Sequence, residues 1–197
     1  MHIDKVNLPK KILTWYDNNH RPLPWRISKK SKKKHYYRLL SEFMLQQTQV
    51  RTVIPYFNNF VKKIPNLKGL ANSSEQKILK LWEGLGYYRR AKNLHMSAKI
   101  LVTKYKGKIP NNFEKLKELP GIGDYTANIL LALIYNQPRI GLDGNVKRVL
   151  YRLFNNDTLS AENIFKTKRN SDLAEALMEF GALICKPIEP MCYECKI

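Results

Sequence analysis

No stretch of this sequence is apolar for long enough to cross a bilayer: the longest strongly apolar run is ILLALIY at 129–135, against the ~20 residues that a membrane helix needs. The N-terminus, MHIDKVNLPKK, lacks the apolar centre of a secretion signal, and a cytoplasmic protein is expected. Cysteine is missing from the first 184 residues, and the three that exist fall in the last thirteen, which excludes a disulfide framework. No segment alternates apolar and polar residues persuasively, so strands are not expected either. Acidic residues are scarce: 16 Asp and Glu face 35 Lys and Arg, leaving a formal charge of +19.

Such a surplus makes a polyanion the expected partner, nucleic acid first and an anionic membrane second. The charge is also localised. Residues 1–40 carry eleven basic and two acidic side chains, a surplus of nine, and the run KKSKKK at 29–34 reads as an exposed loop that touches phosphates. In a prokaryote this places the protein with the nucleoid.

What recurs along the chain is apolar spacing of three and four. Val50, Val53, Ile54, Phe57, Phe60 and Val61 make one stripe, Ile129, Ala132 and Leu133 a second, and Val146, Val149, Leu150 and Leu153 a third. The chain reads as all-α. Breaks are expected at RPLPWR (21–26), IPNLKG (64–69), GKIP (107–110), LPGIG (119–123) and NQPRIGLDG (136–144). In NSSEQ, Ser73 and Gln76 offer a capping box for the helix bearing Ile78, Leu79 and Trp82.

Three motifs carry chemistry. FEKLKELPGIGDYTANILLALI (113–134) is a short helix, a tight Gly-Ile-Gly turn and a second helix; Gly121 and Gly123 can expose backbone N–H groups beside a helix N-terminus, where a phosphate oxygen docks. This is a helix-hairpin-helix pattern. Next comes GLDGNVKRVL (141–150), in which Asp143 opens a helix as its N-cap. A carboxylate brought toward a phosphate backbone needs a further reason to be there, and stabilising a developing sugar cation is one. Finally, SEFMLQQTQV (41–50) reads as an amphipathic helix with Glu42 at its start, ahead of Met44, Leu45 and Gln46.

The hairpin followed by LDGNVKRV, with SEFMLQQTQV and LWEGLGYYRRAKNLH (81–95) upstream, resembles the helix-hairpin-helix DNA glycosylases, and among them the MutY-type adenine glycosylases, over about residues 8 to 195. The resemblance implies a base excision repair enzyme, a monofunctional hydrolase of the N-glycosidic bond. Its substrate would be adenine mispaired with 8-oxoguanine or guanine in double-stranded DNA, and it would act as a monomer. Glu42 would be the acid that protonates adenine at N7, its pKa raised by apolar company from Met44 and Leu45. Asp143 would stay ionised to meet the oxocarbenium-like sugar, the two-carboxylate logic of glycoside hydrolysis. Asn145 would order the attacking water, and Tyr125 would contact the aspartate. Trp25, Arg26 and Leu45 would wall the adenine pocket, with Glu175 bonded to the extruded base. Gln47 and Tyr87 would fill or wedge the vacated helix, while Gly121, Gly123 and Lys147 hold the backbone.

The resemblance also implies two lobes, residues 1–29 with 136–197 and residues 30–135, and a C-terminal cysteine loop. CKPIEPMCYEC (185–195) then offers Cys185, Cys192 and Cys195 to a 4Fe-4S cluster. The family's fourth cysteine has no counterpart before Ile197. A truncated reading frame, a three-cysteine cluster with an external ligand and a bare tail stand as alternatives. The stretch from Arg152 to Gly181 is shorter than the family's usual one, which bears on where Glu175 lies, and the domain that reads 8-oxoguanine is not in this sequence. Two rival functions remain. An endonuclease III-like glycosylase/lyase acting on oxidised pyrimidines needs a lysine where this chain has Tyr125, and a non-catalytic DNA-binding remnant would not need Glu42 and Asp143.

Overall fold

A computed structural model describes residues 7–28, 30–154, 167–195 and 197. Among the described residues, ten α-helices and one 3-10 turn, Cys192–Glu194, make up the regular structure, with no strand. Lys29 of the lysine run, and residues 155–166 of the stretch expected to be short, lie outside the described residues. Among the described residues no helix is long and apolar enough to cross a membrane.

The chain divides into two compact units, Pro22–Ala127 and the described residues of Met1–Arg21 with Asn128–Ile197. In the first, α2 (Lys34–Leu45) buries Leu39, Leu40, Phe43 and Met44 completely, and α3 (Val50–Lys63) adds Val53, Phe57 and Phe60 from the stripe seen in the sequence. The short α4 (Leu67–Asn72) begins inside the expected break at 64–69 and runs past it, capped by Asn66, whose side chain accepts from the Gly69 N–H. Helix α5 (Glu75–Trp82) starts one residue later than the expected capping box. Ser74, not Ser73, is its N-cap and accepts from the Lys77 N–H, because the Ser73 hydroxyl donates back to the Gly69 carbonyl at 2.8 Å. Helix α6 (Arg89–Thr103) buries Ala91, Leu94, Ala98 and Leu101, and α7 (Phe113–Lys117) leads through the glycine turn into α8 (Asp124–Tyr135).

Helix α8 belongs to both units, which divide after Ala127. All of Ile129–Ile134 is buried, as a helix apolar all round must be. Asn136 follows with a positive φ of 56°, a conformation asparagine tolerates beyond a helix end. Its side-chain oxygen accepts from the Ser171 N–H at 2.9 Å, tying the end of α8 to the start of α10 (Asn170–Leu183). In this unit α1 (Leu8–Asn19) packs on α10 through Leu8, Ile12 and Trp15, the last edge-on to Phe180 at 5.1 Å. Helix α9 (Gly144–Phe154) packs on the same α10.

That second contact depends on a missing side chain. A Cβ built on Gly181 would lie 2.7 Å from the Asn145 Cβ and 3.0 Å from its carbonyl oxygen, so α9 and α10 approach more closely than any other residue there permits. Gly181→Ala should therefore destabilise the protein by about 1–3 kcal/mol through overpacking. A melting curve checks this, with each ~1 kcal/mol shifting the midpoint by ~2–4 °C for a chain of this size. Gly144→Ala, whose Cβ would meet nothing within 4 Å, should be neutral or stabilising by up to about 1 kcal/mol.

Candidate active site

Glu42 lies in the last turn of α2, not at the start of a helix: α2 ends at Leu45, residues 46–49 form a loop, and α3 begins at Val50. The reason is a tertiary pull on the backbone. Arg90, on the first turn of α6, sends Nη1 to the carbonyls of Phe43, Met44 and Gln46, with the Met44 bond at 2.8 Å. The guanidinium thus supplies the partners that the end of a helix lacks, and Gln47 turns out of it with φ +56°. Glu42 itself is 7 % exposed. Leu45 is half-buried and Gln47 exposed. Trp25, 3 % exposed, stands edge-on to Phe57 at 5.3 Å, and Arg26 is half-buried on the same loop.

The glycine turn belongs to the same unit. Gly121 has φ +80°, and a Cβ there would come within 2.8 Å of Phe43 and 2.9 Å of Asn93. The turn is therefore bedded on α2 and α6. Its carbonyls are held as well, Pro120 by the Ser97 hydroxyl at 2.8 Å and Gly121 by the Gln46 side-chain amide at 3.2 Å. Gly123 is exposed and its carbonyl accepts the Ala127 N–H, the first bond of α8, while Tyr125 is half-buried in the first turn of that helix. Tyr87 is 63 % exposed and, like Gln47, has a positive φ, of 50°.

Asp143 belongs to the other unit. It caps α9: Oδ1 accepts the Val146 N–H at 2.7 Å and its carbonyl accepts the Lys147 N–H at 2.9 Å. Burial raises its pKa above the ordinary carboxylate value, while bonds from Val146 and Asn145 and the charge of Arg148 pull it down again. Desolvation is the largest of these influences, so the ionised form expected from the sequence is held against a burial cost. Asn145 is fixed between its glycine contact and Arg148, whose Nη2 donates to its Oδ1 at 2.7 Å. Lys147 is exposed. Glu175 is 4 % exposed and accepts from the Tyr16 hydroxyl at 3.1 Å, which anchors α10 to α1; one turn on, Glu179 receives Arg21 through Nε and Nη2 at 2.9 and 2.5 Å.

The sequence-derived site residues thus divide between the two units. Trp25, Arg26, Glu42, Leu45, Gln47, Tyr87, Gly121, Gly123 and Tyr125 are in one, and Asp143, Asn145, Lys147, Glu175 and the cysteines in the other. The cysteine stretch is held by arginines. Arg148 donates to the Cys185 carbonyl at 2.7 Å and to that of Gly181, and Arg152 donates to the Lys186 carbonyl at 2.8 Å and to the Cys185 thiol at 3.4 Å. Three thiols within eleven residues are the right donors for an iron–sulfur cluster, but among the described residues no three His, Cys, Asp or Glu side chains are gathered to hold a metal.

Arg90, Arg148, Arg21 and Glu179 were not singled out in the sequence. One signal existed: Arg90 precedes Ala91, Leu94 and Ala98 on the buried face of α6, where a surface arginine would be out of place.

Residues 40–173 match the model of the HhH-GPD superfamily base excision DNA repair proteins. The chain belongs to that superfamily. It is similar to the adenine DNA glycosylase of Buchnera aphidicola subsp. Baizongia pistaciae (strain Bp), 42 % identical across 94 % of this chain and 55 % of the relative, and to that of Homo sapiens, 37 % identical across 94 % of this chain and 37 % of the relative. It therefore spans about half or less of the length of these relatives. The backbone is similar to that of a thermostable thymine-DNA glycosylase, with a TM-score of 0.81 and 26 % identity over 98 % of this chain and 92 % of the other, in keeping with the all-α helix-hairpin-helix fold expected from the sequence.

The raised pKa of Asp143 has a consequence for stability. The folded state holds this proton more tightly than the unfolded one, so the group's contribution is full below the unfolded value and is lost as the pH rises through the folded one. Asparagine keeps the cap without the charge. Asp143→Asn should therefore raise the melting midpoint at pH 7.5, with a gain that shrinks as the pH is lowered toward about 4. A midpoint lowered at pH 7.5 would show that the carboxylate is held at a net benefit.

Proposed function

We propose that this protein is an adenine DNA glycosylase of base excision repair, releasing adenine mispaired with 8-oxoguanine or guanine from double-stranded DNA. The observation that carries the reading is Glu42, a carboxyl buried at the end of α2 in a chain similar to adenine DNA glycosylases. A carboxyl in such a place can act as a general acid on a base brought within hydrogen-bond reach. The capped Asp143, half-buried on the other unit, is the second carboxyl of the pair.

In the proposed reaction the adenine leaves the stack, and Glu42 transfers its proton to N7. The bond between the base nitrogen and C1′ breaks with its electron pair going to the base. Asp143, ionised, faces the positive sugar that results, and water ordered with the help of Asn145 adds its oxygen to C1′. The proton lost by that water returns to the acid through solvent. The products are free adenine and an abasic site. Trp25, Arg26, Leu45 and Glu175 are the proposed pocket residues, Tyr125 the neighbour of the aspartate, and Gln47, Tyr87, Gly121, Gly123 and Lys147 the proposed DNA contacts. No step passes through a cluster on Cys185, Cys192 and Cys195. The reading extends to a monomer acting on the nucleoid.

Glu42→Gln keeps the shape of the acid and loses its proton. It should reduce single-turnover adenine release by ~100-fold or more while binding the mispaired duplex as the unmutated protein does. Release at the parental rate would remove Glu42 from the role. Tyr125 tests the monofunctional assignment, since a phenol cannot form the imine that a lysine forms with the sugar. Borohydride should trap no protein on DNA, and the product strand should break only with alkali or heat. Efficient trapping, together with preference for an oxidised pyrimidine, would favour the endonuclease III-like alternative instead.

A further inference from the structure

Two exposed side chains in the unit Pro22–Ala127, Gln47 and Tyr87, have backbones in the left-handed region, at φ +56° and +50°. Residues with a Cβ occupy that region sparsely, and persist there only where the surroundings impose it. In both cases the imposing group is the same. The peptide before Gln47 is held by its carbonyl, Gln46 O, bonded to Arg90 Nη1, and the peptide before Tyr87 by Gly86 O, bonded to Arg90 Nη2 at 3.1 Å. Nη1 also takes the Phe43 and Met44 carbonyls, and Nη2 that of Leu85 at 3.3 Å. The Trp82 indole adds a second donor to Gly86 O at 3.2 Å.

Arginine is suited to this task and lysine is not. The guanidinium is planar, and its two Nη groups point along fixed, divergent directions, so orienting one loop orients the other. The group is 7 % exposed, with its carbon 5.6 Å from the Trp82 ring centre and 5.4 Å from that of Tyr87. The cation therefore lies beneath the side chain it helps to place. It is not a phosphate contact. Seven residues along the same helix, Ser97 holds the Pro120 carbonyl of the glycine turn. One helix thus mounts all three loops.

We propose that Arg90 is the positioning residue that sets Gln47 and Tyr87 for entry into the duplex, one guanidinium fixing the peptide plane ahead of each. The inference rests on the reading of these two side chains as DNA-wedging groups. Its function is to convert two separate loops into one rigid tool, so that the base is displaced by both together.

The test uses the full chain and a duplex with 2-aminopurine in place of the mispaired adenine, whose fluorescence rises as the base leaves the stack. Arg90→Lys should bind this duplex with near-parental affinity yet lose most of the fluorescence rise at saturation. On the adenine duplex its single-turnover release should fall by up to ~100-fold, as a misplacement of about 1 Å can cost. Release should largely recover when the adenine faces an abasic spacer, because no partner base has to be parted from it. An equal loss on both duplexes, or a full fluorescence rise, overturns the proposal. An unmutated protein that unstacks the base but releases no adenine overturns the proposed reaction and leaves the Arg90 comparison decisive; one that does not unstack it overturns both. Should Arg90→Lys not fold, hydrogen exchange of the unmutated protein decides: segments 43–48 and 84–88 should open together, and independent opening overturns the proposal.

Discussion

Every helix ends in carbonyls that its own turns cannot satisfy, and a protein made only of helices has many of them to provide for. Here arginine does much of that work from inside. Arg90 takes the terminal carbonyls of α2, and Arg148 takes the Gly181 carbonyl near the end of α10 together with that of Cys185. A cation at the negative end of a helix is favourable in itself, and a guanidinium can serve several acceptors at once. Removing Arg90 would leave several buried acceptors without that partner, the costly kind of loss. The ends of α2 and of α10 are each placed by these contacts.

The two proposed carboxyls are held in contrasting ways. Glu42 is carried by a helix whose end is fixed from another helix, so its position depends on tertiary structure. Asp143 is held within its own first turn by the N–H groups it caps. Asn145 combines both kinds of constraint, being on that turn and also pressed against Gly181. Burial opposes the charge of Asp143 while local donors support it.

Much of this was legible in the sequence, because apolar spacing of three and four reports burial directly. The stripe from Val53 to Phe60 became the buried face of α3, and the Gly-Ile-Gly turn sits between two helices as read. What the sequence concealed was long-range. Nothing in LQQTQ marks a helix end, since it has no glycine or proline, and the end comes from a guanidinium 44 residues away from Gln46. The choice between Ser73 and Ser74 as a cap was settled by a bond from Ser73 to the helix before it. The positive charge also misled in part. It reads as a surface for polyanions, yet Arg90 is buried among carbonyls and Arg148 is partly so.

The N-cap at Asp143 bears on how this chain can diverge. Its donors are peptide N–H groups, which every amino acid except proline possesses. The carboxylate is therefore insulated from substitution at Val146, the residue that holds it by its backbone, since any non-proline replacement there presents the same donor. Glu42 has no such insulation, because its helix end answers to one particular side chain. A lineage under weak selection would thus preserve the geometry around one carboxyl by default and could lose that around the other through a single change at position 90.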